Sequence, residues 1–183
     1  MRLSKPSGLR KVCSVSLEDI YKEVILDHYR SPRNLGTLPS PPAIKAEGFN
    51  PLCGDEITLY LDFDDSGVLQ KVRMESRGCS ISQASASMMT EAIKGKAIPD
   101  IESLVERFKA MMSLREDRIK QGEKEVASDV FGSSGLGELE ALQGVVKFPV
   151  RIKCATLAWN TLMGGLRQAK AGNGTSSTTF VEG

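Results

Sequence analysis

Apolar positions along this chain alternate between two periods. Leu17, Ile20, Tyr21, Val24 and Ile25 recur at helical spacing, with His28 on the same stripe, and Ser16 followed by Asp19 supplies a capping-box start. Ser31-Pro32 is expected to stop that helix. From Ile57 the period becomes two: Ile57, Leu59, Leu61 and Phe63 alternate with polar or aromatic partners, Asp64-Asp65-Ser66-Gly67 makes a turn, and Val68, Val72 and Met74 continue one face. This predicts an antiparallel hairpin with one buried side. Helical spacing returns at Ile81, Ala84, Met88, Met89, Ala92 and Ile93, in a helix opened by a Ser80/Gln83 capping box and closed by Gly95. It returns again at Ile101, Leu104, Val105, Phe108 and Met112 after Pro99-Asp100, and at Cys154, Ala155, Ala158, Leu162 and Leu166 after Phe148-Pro149.

Between these elements the pattern lapses. Pro32 to Pro51 reads as an extended connector holding one short strand around Ile44. Residues 115–137, charged and then rich in Gly and Ser, read as an inserted surface segment. Residues 1–16 read as a flexible extension, and residues 171–183 have the composition of a disordered tail. The expected architecture is therefore one α+β domain over residues 17–170, with a small antiparallel sheet of about three strands covered by helices.

Composition narrows the function by exclusion. The 183 residues suit one domain with a full core, and 40% apolar with 26% charged residues is ordinary for a globular protein. Lys plus Arg number 24 against 23 Asp plus Glu, so the charge balance asks for neither nucleic acid nor an anionic membrane. No apolar run reaches the roughly 20 residues needed to span a bilayer, and the first residues lack the apolar core of a secretory signal. Arg2, Lys5, Arg10 and Lys11 precede any acidic residue, but without the amphipathic periodicity of a transit peptide. A cytoplasmic, reducing setting is expected, where cysteines bind metals or do chemistry more often than they form disulfides.

Three of the four cysteines stand at element boundaries. Cys53 lies on the turn "NPLCGD" with Asp55 two residues on, Cys79 at a strand-to-helix junction, and Cys154 near the start of the last helix. A Cys-x-Asp pair and two more thiols supply four ligands for a tetrahedral thiophilic metal, zinc being the expected one. The spacing differs from that of zinc knuckles, since 25 residues separate Cys53 from Cys79 and 74 separate Cys79 from Cys154. From these residues alone the set reads either as a metal or thiol site or as buried, inert cysteines. The helix N-terminus at Cys79 favours an anionic sulfur. Three thiolates and a carboxylate around a dication leave excess negative charge, for which Arg77, Arg151 and Lys153 are candidate counter-charges. Asp55, a hard oxygen ligand among soft sulfurs, marks a site able to exchange ligands.

With "LEDIYKEVILDHYRSPRN", "NPLCGDEI", "RGCSISQASASMMTEAIKGK" and "FPVRIKCATLAWNTL" in this order, the chain resembles the IscU/NifU-like iron–sulfur cluster assembly family over about residues 17 to 169, and its SufU branch most. The scaffold branch carries a His directly before the last cysteine. Lys153 stands there in this chain, and Lys153 and the insert between Cys79 and Cys154 are both features of the SufU branch. Residues 115–137 are longer than is usual for that insert. The resemblance implies zinc held by Cys53, Asp55, Cys79 and Cys154, a cysteine desulfurase of the SufS type as partner, and downstream iron–sulfur assembly proteins.

The leading expectation is sulfur transfer, in which docking displaces Cys53 from zinc and frees it to take persulfide sulfur. The alternative is a scaffold on which a transient iron–sulfur cluster forms on the same cysteines. A zinc hydrolase using Glu56 or Asp55 as base is a third class, disfavoured because three thiolates make zinc a poor Lewis acid. His28 is expected to be a hydrogen-bonded core or rim residue, Trp159 and the methionines core filler, and Cys13 an incidental thiol.

Overall fold

The computed structural model describes residues 16–120, 135–172 and 178–181. Cys13 and most of the N-terminal extension therefore lie outside the described residues. Ser16 caps the first helix, α1 (Leu17–Arg30): the Asp19 N–H donates to Ser16 Oγ at 3.2 Å, and the Asp19 carboxylate accepts from the Ser16 N–H at 3.2 Å. Ser31 ends it, as Pro32 requires.

The connector yields a longer strand than expected, β1 (Ile44–Asn50), which pairs antiparallel with β2 (Asp55–Phe63) through the four-residue turn that carries Cys53. β2 pairs antiparallel with β3 (Leu69–Arg77), giving the expected hairpin. Asp64 closes its turn by accepting the N–H groups of Ser66 and Val68 at 2.9 Å each. A fourth strand, β4 (Thr178–Val181), lies parallel to β1 at the sheet edge, in the order β3-β2-β1-β4. The sheet is thus mixed and four-stranded, not an antiparallel sheet of about three strands, and part of the tail expected to lack structure forms its edge. Composition missed this because Thr-Thr-Phe-Val, read apart from its polar neighbours, is a β-former with Phe180 half-buried against the core.

The helices follow. α2 (Ser80–Ile93) is capped by Cys79 and not by Ser80; Gln83 reaches past the cap to the Gly78 carbonyl at 2.7 Å. α3 spans Ile98–Lys120, so the first residues of the expected insert are helical, and residues 121–134 lie outside the described residues. A 3-10 helix, Gly137–Lys147, precedes α4 (Pro149–Lys170), whose Pro149 sits at its first turn. α4 packs against β1 and β2, and α2 against β3 and α4. Among the described residues no helix is long and apolar enough to cross a membrane.

Two buried contacts hold the helical layer together. Trp159 Nε1 donates to Ser85 Oγ at 3.1 Å, and Ser85 Oγ donates to the Ala155 carbonyl at 2.6 Å, tying α2 to α4 beside Cys154. Trp159 also stacks on Phe108 of α3, with ring centroids 4.1 Å apart and planes within 11°. Phe108→Ala is expected to lower stability by about 3–5 kcal/mol in urea titrations. Trp159, the single tryptophan, reports the change by a red shift of native fluorescence; a loss under about 1 kcal/mol would show that the stack is dispensable.

Candidate metal centre

One end of the sheet gathers the candidate ligands because three strand ends meet there. β1 ends at Asn50, β2 begins at its register partner Asp55, and β3 ends at Arg77 opposite Glu56. The turn between β1 and β2 carries Cys53, the residues after β3 lead into Cys79, and α4 brings in Cys154. Gly54 has φ +67°, a left-handed conformation that lets the Cys53-Gly54-Asp55 backbone reverse. Its N–H closes the turn on the Asn50 carbonyl at 2.9 Å.

The donors converge. One ligand atom each from Cys53, Asp55 and Cys154 lies within 4.8 Å of the others. The Cys53 and Cys154 sulfurs are 3.2 Å apart and unbonded. Cys79 joins through the carboxylate: its Sγ is 3.9 Å from Asp55 Oδ2, and its N–H donates to Asp55 Oδ1 at 2.8 Å. Zinc–sulfur bonds near 2.3 Å put the donors of a tetrahedron roughly 3.8 Å apart, so this spacing suits the metal. Cys79 Sγ also accepts the Ser82 N–H at 3.5 Å, so a sulfur serves as the helix cap.

Burial divides the set. Asp55 and Cys154 are fully buried, Cys79 is half-buried, and Cys53 is half-buried on its turn between the exposed Leu52 and Gly54. Burial first, and then hydrogen bonding to Asp55 and Cys53, pushes the Cys154 thiol far above its ordinary value. Four acidic groups packed this closely call for a cation, and a soft dication among three sulfurs reverses the penalty by favouring thiolate. The residues present therefore fit zinc.

Arg151 answers part of the remaining charge. Its guanidinium is held more firmly protonated than an ordinary arginine by the charge of Cys79 first, and then by a hydrogen bond with Cys154. Arg77 is exposed at the end of β3 and Lys153 is half-buried next to Cys154 in the chain; each is near a donor in sequence. Glu56 is exposed, one residue on from Asp55 and so on the opposite side of the strand, away from the donors. His28 is buried and hydrogen-bonded, as its place on the apolar stripe implies.

Sequence reasoning missed two supporting residues. Asn50, fully buried, directs Nδ2 at Cys154 Sγ at 3.7 Å while its Oδ1 accepts the Leu52 N–H at 3.1 Å. The Asn-Pro start of the turn was the available signal. Gly78, at φ +152°, lies against the carboxylate: an added Cβ would stand 2.8 Å from Asp55 Cγ and 2.9 Å from Asp55 Cβ, and closer still to Oδ1.

Residues 20–155 match the NifU-like N-terminal domain. The chain belongs to that family. Within the NifU-like family it is 43% identical over 160 residues to the zinc-dependent sulfurtransferase SufU of Bacillus subtilis, covering 87% of this chain and 98% of that protein. It is 37% identical over 153 residues to the iron–sulfur cluster assembly scaffold protein IscU of Streptococcus pyogenes, covering 84% of this chain and 86% of that one. A crystal structure from Fervidobacterium islandicum, described as a SUF-system iron–sulfur cluster assembly scaffold, superposes with a TM-score of 0.65 at 32% identity, over 82% of this chain and 99% of that one. These NifU-like relatives bear out the α+β class expected from the pattern.

Gly78→Ala is expected to weaken zinc binding roughly 10- to 100-fold, because the carboxylate must move. Gly54→Ala meets nothing within 4 Å and costs only the backbone term, about 1–2 kcal/mol of stability. Competition against a chromophoric chelator and urea titration measure the two effects. Equal zinc affinity in both variants would contradict the role given to Gly78.

Proposed function

We propose that this protein takes persulfide sulfur from a cysteine desulfurase onto Cys53 and passes it on for iron–sulfur cluster assembly. The observation that carries this reading is the asymmetry of the four donors. Asp55 and Cys154 are buried and Cys79 caps a helix, whereas Cys53 sits on an accessible turn hinged at Gly54. The name of the Bacillus subtilis relative, a zinc-dependent sulfurtransferase, supports it. A cytoplasmic setting, in which free thiols persist, belongs to the same proposal.

Cys53, Asp55, Cys79 and Cys154 would hold the zinc, which when bound keeps buried sulfurs in the thiolate form at neutral pH. The Cys53 thiolate attacks the outer sulfur of the donor's persulfide. A new sulfur–sulfur bond forms on Cys53, the donor's sulfur–sulfur bond breaks, and the donor cysteine leaves as thiolate, with no net oxidation. Gly54 lets Cys53 turn outward while Asp55, held by the Cys79 N–H, stays in place.

The face around Cys53 suits a protein partner. Leu52, next to Cys53, is 67% exposed, and Phe148 and Val150, at the start of the helix that carries Cys154, are 62% and 65% exposed. Beside them a cavity of about 360 Å³ is lined by Tyr21, Ile25, Ile81, Val145, Phe148 and Arg151. Arg151 thus borders both the sulfurs and the apolar groove. Likeness to IscU of Streptococcus pyogenes favours a second reading, a scaffold on which the cluster is built as cargo. Lys153, where the scaffold branch carries a His, counts against it.

Cys53→Ser is expected to abolish sulfur uptake, read as the gain of one sulfur atom by intact-protein mass spectrometry after incubation with desulfurase and cysteine. Undiminished uptake would refute the role of Cys53. Bound iron and sulfide that survive anaerobic reconstitution and activate an apo-enzyme at the cluster's own rate would move the reading to the scaffold. Arg151→Ala is expected to raise the concentration needed to stimulate the desulfurase several-fold while leaving zinc stoichiometry intact. Parallel loss of both would place Arg151 in the metal site alone.

A further inference from the structure

A second group of ligand-type side chains includes Glu91 of α2, about 18 Å of helix beyond the Cys79 cap. His28 of α1, the chain's single histidine, is 1% exposed. Its Nε2 is 3.2 Å from Glu138 Oε2 in the 3-10 helix and 3.9 Å from Glu91 Oε2 in α2. These three atoms lie within 4.8 Å of one another. On its other side, His28 Nδ1 is 2.8 Å from Ser87 Oγ, which also accepts the Arg33 backbone N–H at 2.8 Å.

We propose that His28, Glu91 and Glu138 form a second metal site, for a first-row divalent cation that prefers nitrogen and oxygen ligands. A structural hydrogen bond from His28 Nε2–H needs one acceptor. Here two carboxylates converge on one ring nitrogen, and their mutual repulsion is relieved by a cation between them. Arg33, which pairs with Asp27 and stands 3.9 Å from Glu91, offsets only part of that charge. The second face of the ring is held by a hydroxyl, as metal-bound imidazoles are oriented by a group behind them. Coordination at Nε2 needs the Nδ1–H tautomer, whose proton Ser87 Oγ is placed to accept.

Charge and access agree with this assignment. One neutral imidazole and two carboxylates balance a dication, unlike the thiol-rich set, which exceeds it. Imidazole and carboxylate suit Mn²⁺, Fe²⁺, Co²⁺ or Zn²⁺ and not a soft monovalent ion. Glu91 and Glu138 keep 47% and 66% of their side-chain surface exposed. His28 and Glu138 line a cavity of about 440 Å³ whose wall adds Asp19, Glu23 and Asp27, a negative approach for a cation. Lys22, 3.8 Å from Asp19, and Arg33, paired with Asp27, are basic side chains at its rim and leave Glu23 and Glu138 to carry the negative field.

The test uses the full chain loaded with one equivalent of zinc, titrated with Mn²⁺, which competes poorly for thiolates. The ring protons of the only histidine give an NMR signal that needs no further assignment. Those signals are expected to broaden and to saturate near one equivalent of Mn²⁺. In the E91Q/E138Q variant, whose changed side chains are at the surface, the midpoint is expected to move at least tenfold higher, with zinc content and urea midpoint retained. Broadening of the same midpoint in both proteins, or ring signals untouched by millimolar Mn²⁺, would overturn the proposal. Neither outcome depends on the sulfur-transfer reading.

Discussion

The Asp55 carboxylate is the constraint around which this fold is arranged. It is fully buried, yet it stands among three sulfurs and accepts a backbone N–H from the residue that caps α2. An ionised carboxylate in such a place is costly unless donors and positive charge surround it. The structure meets that demand from several directions: the Cys79 N–H, the Arg151 guanidinium beside the sulfurs, and a donor spacing suited to zinc. Gly78 follows from the same demand, since any side chain there would occupy the carboxylate's space.

Rigidity around this charge is uneven, and chemistry follows from the unevenness. Ser85 and Trp159 lock α2 to α4, so Cys79 and Cys154 are fixed relative to each other by buried hydrogen bonds. Among the described residues Cys53 is tied only through its sulfur, 3.2 Å from Cys154 Sγ. It hangs on a short turn whose closure depends on Asn50 and Gly54, between exposed neighbours. A set of donors in which one thiol sits on a surface turn and the others are held by packed elements is the observation on which the proposed sulfur transfer rests.

The two ligand clusters differ in a way that separates their chemistry. The thiol-rich centre draws on the sheet end, the α2 cap and α4, and its softness selects a thiophilic metal. The His28 cluster draws on α1, α2 and the 3-10 helix, uses nitrogen and oxygen, and opens on an acidic cavity. α2 contributes to both, through Cys79 at its first turn and Glu91 near its last.

Much of the plan was legible in the chain itself. The α1 capping box, the hairpin and the helical stripes of α2, α3 and α4 are local matters, set by residues close in sequence, and they stand where the pattern put them. That Cys53, Asp55, Cys79 and Cys154 come together was legible because turns and helix termini are where a chain can bring distant residues together. Other features were not, for the same physical reason reversed. That Cys79 and not Ser80 caps α2, that Thr178–Val181 joins β1, that Asn50 faces Cys154, and that His28 meets Glu138, 110 positions away, all depend on which surfaces pack together. Sequence by itself determined the elements and the chemical character of the site. Tertiary structure decided which donors are buried, which one is reached from the surface turn, and where the charge is balanced, because burial and long-range contact exist only once the elements have packed.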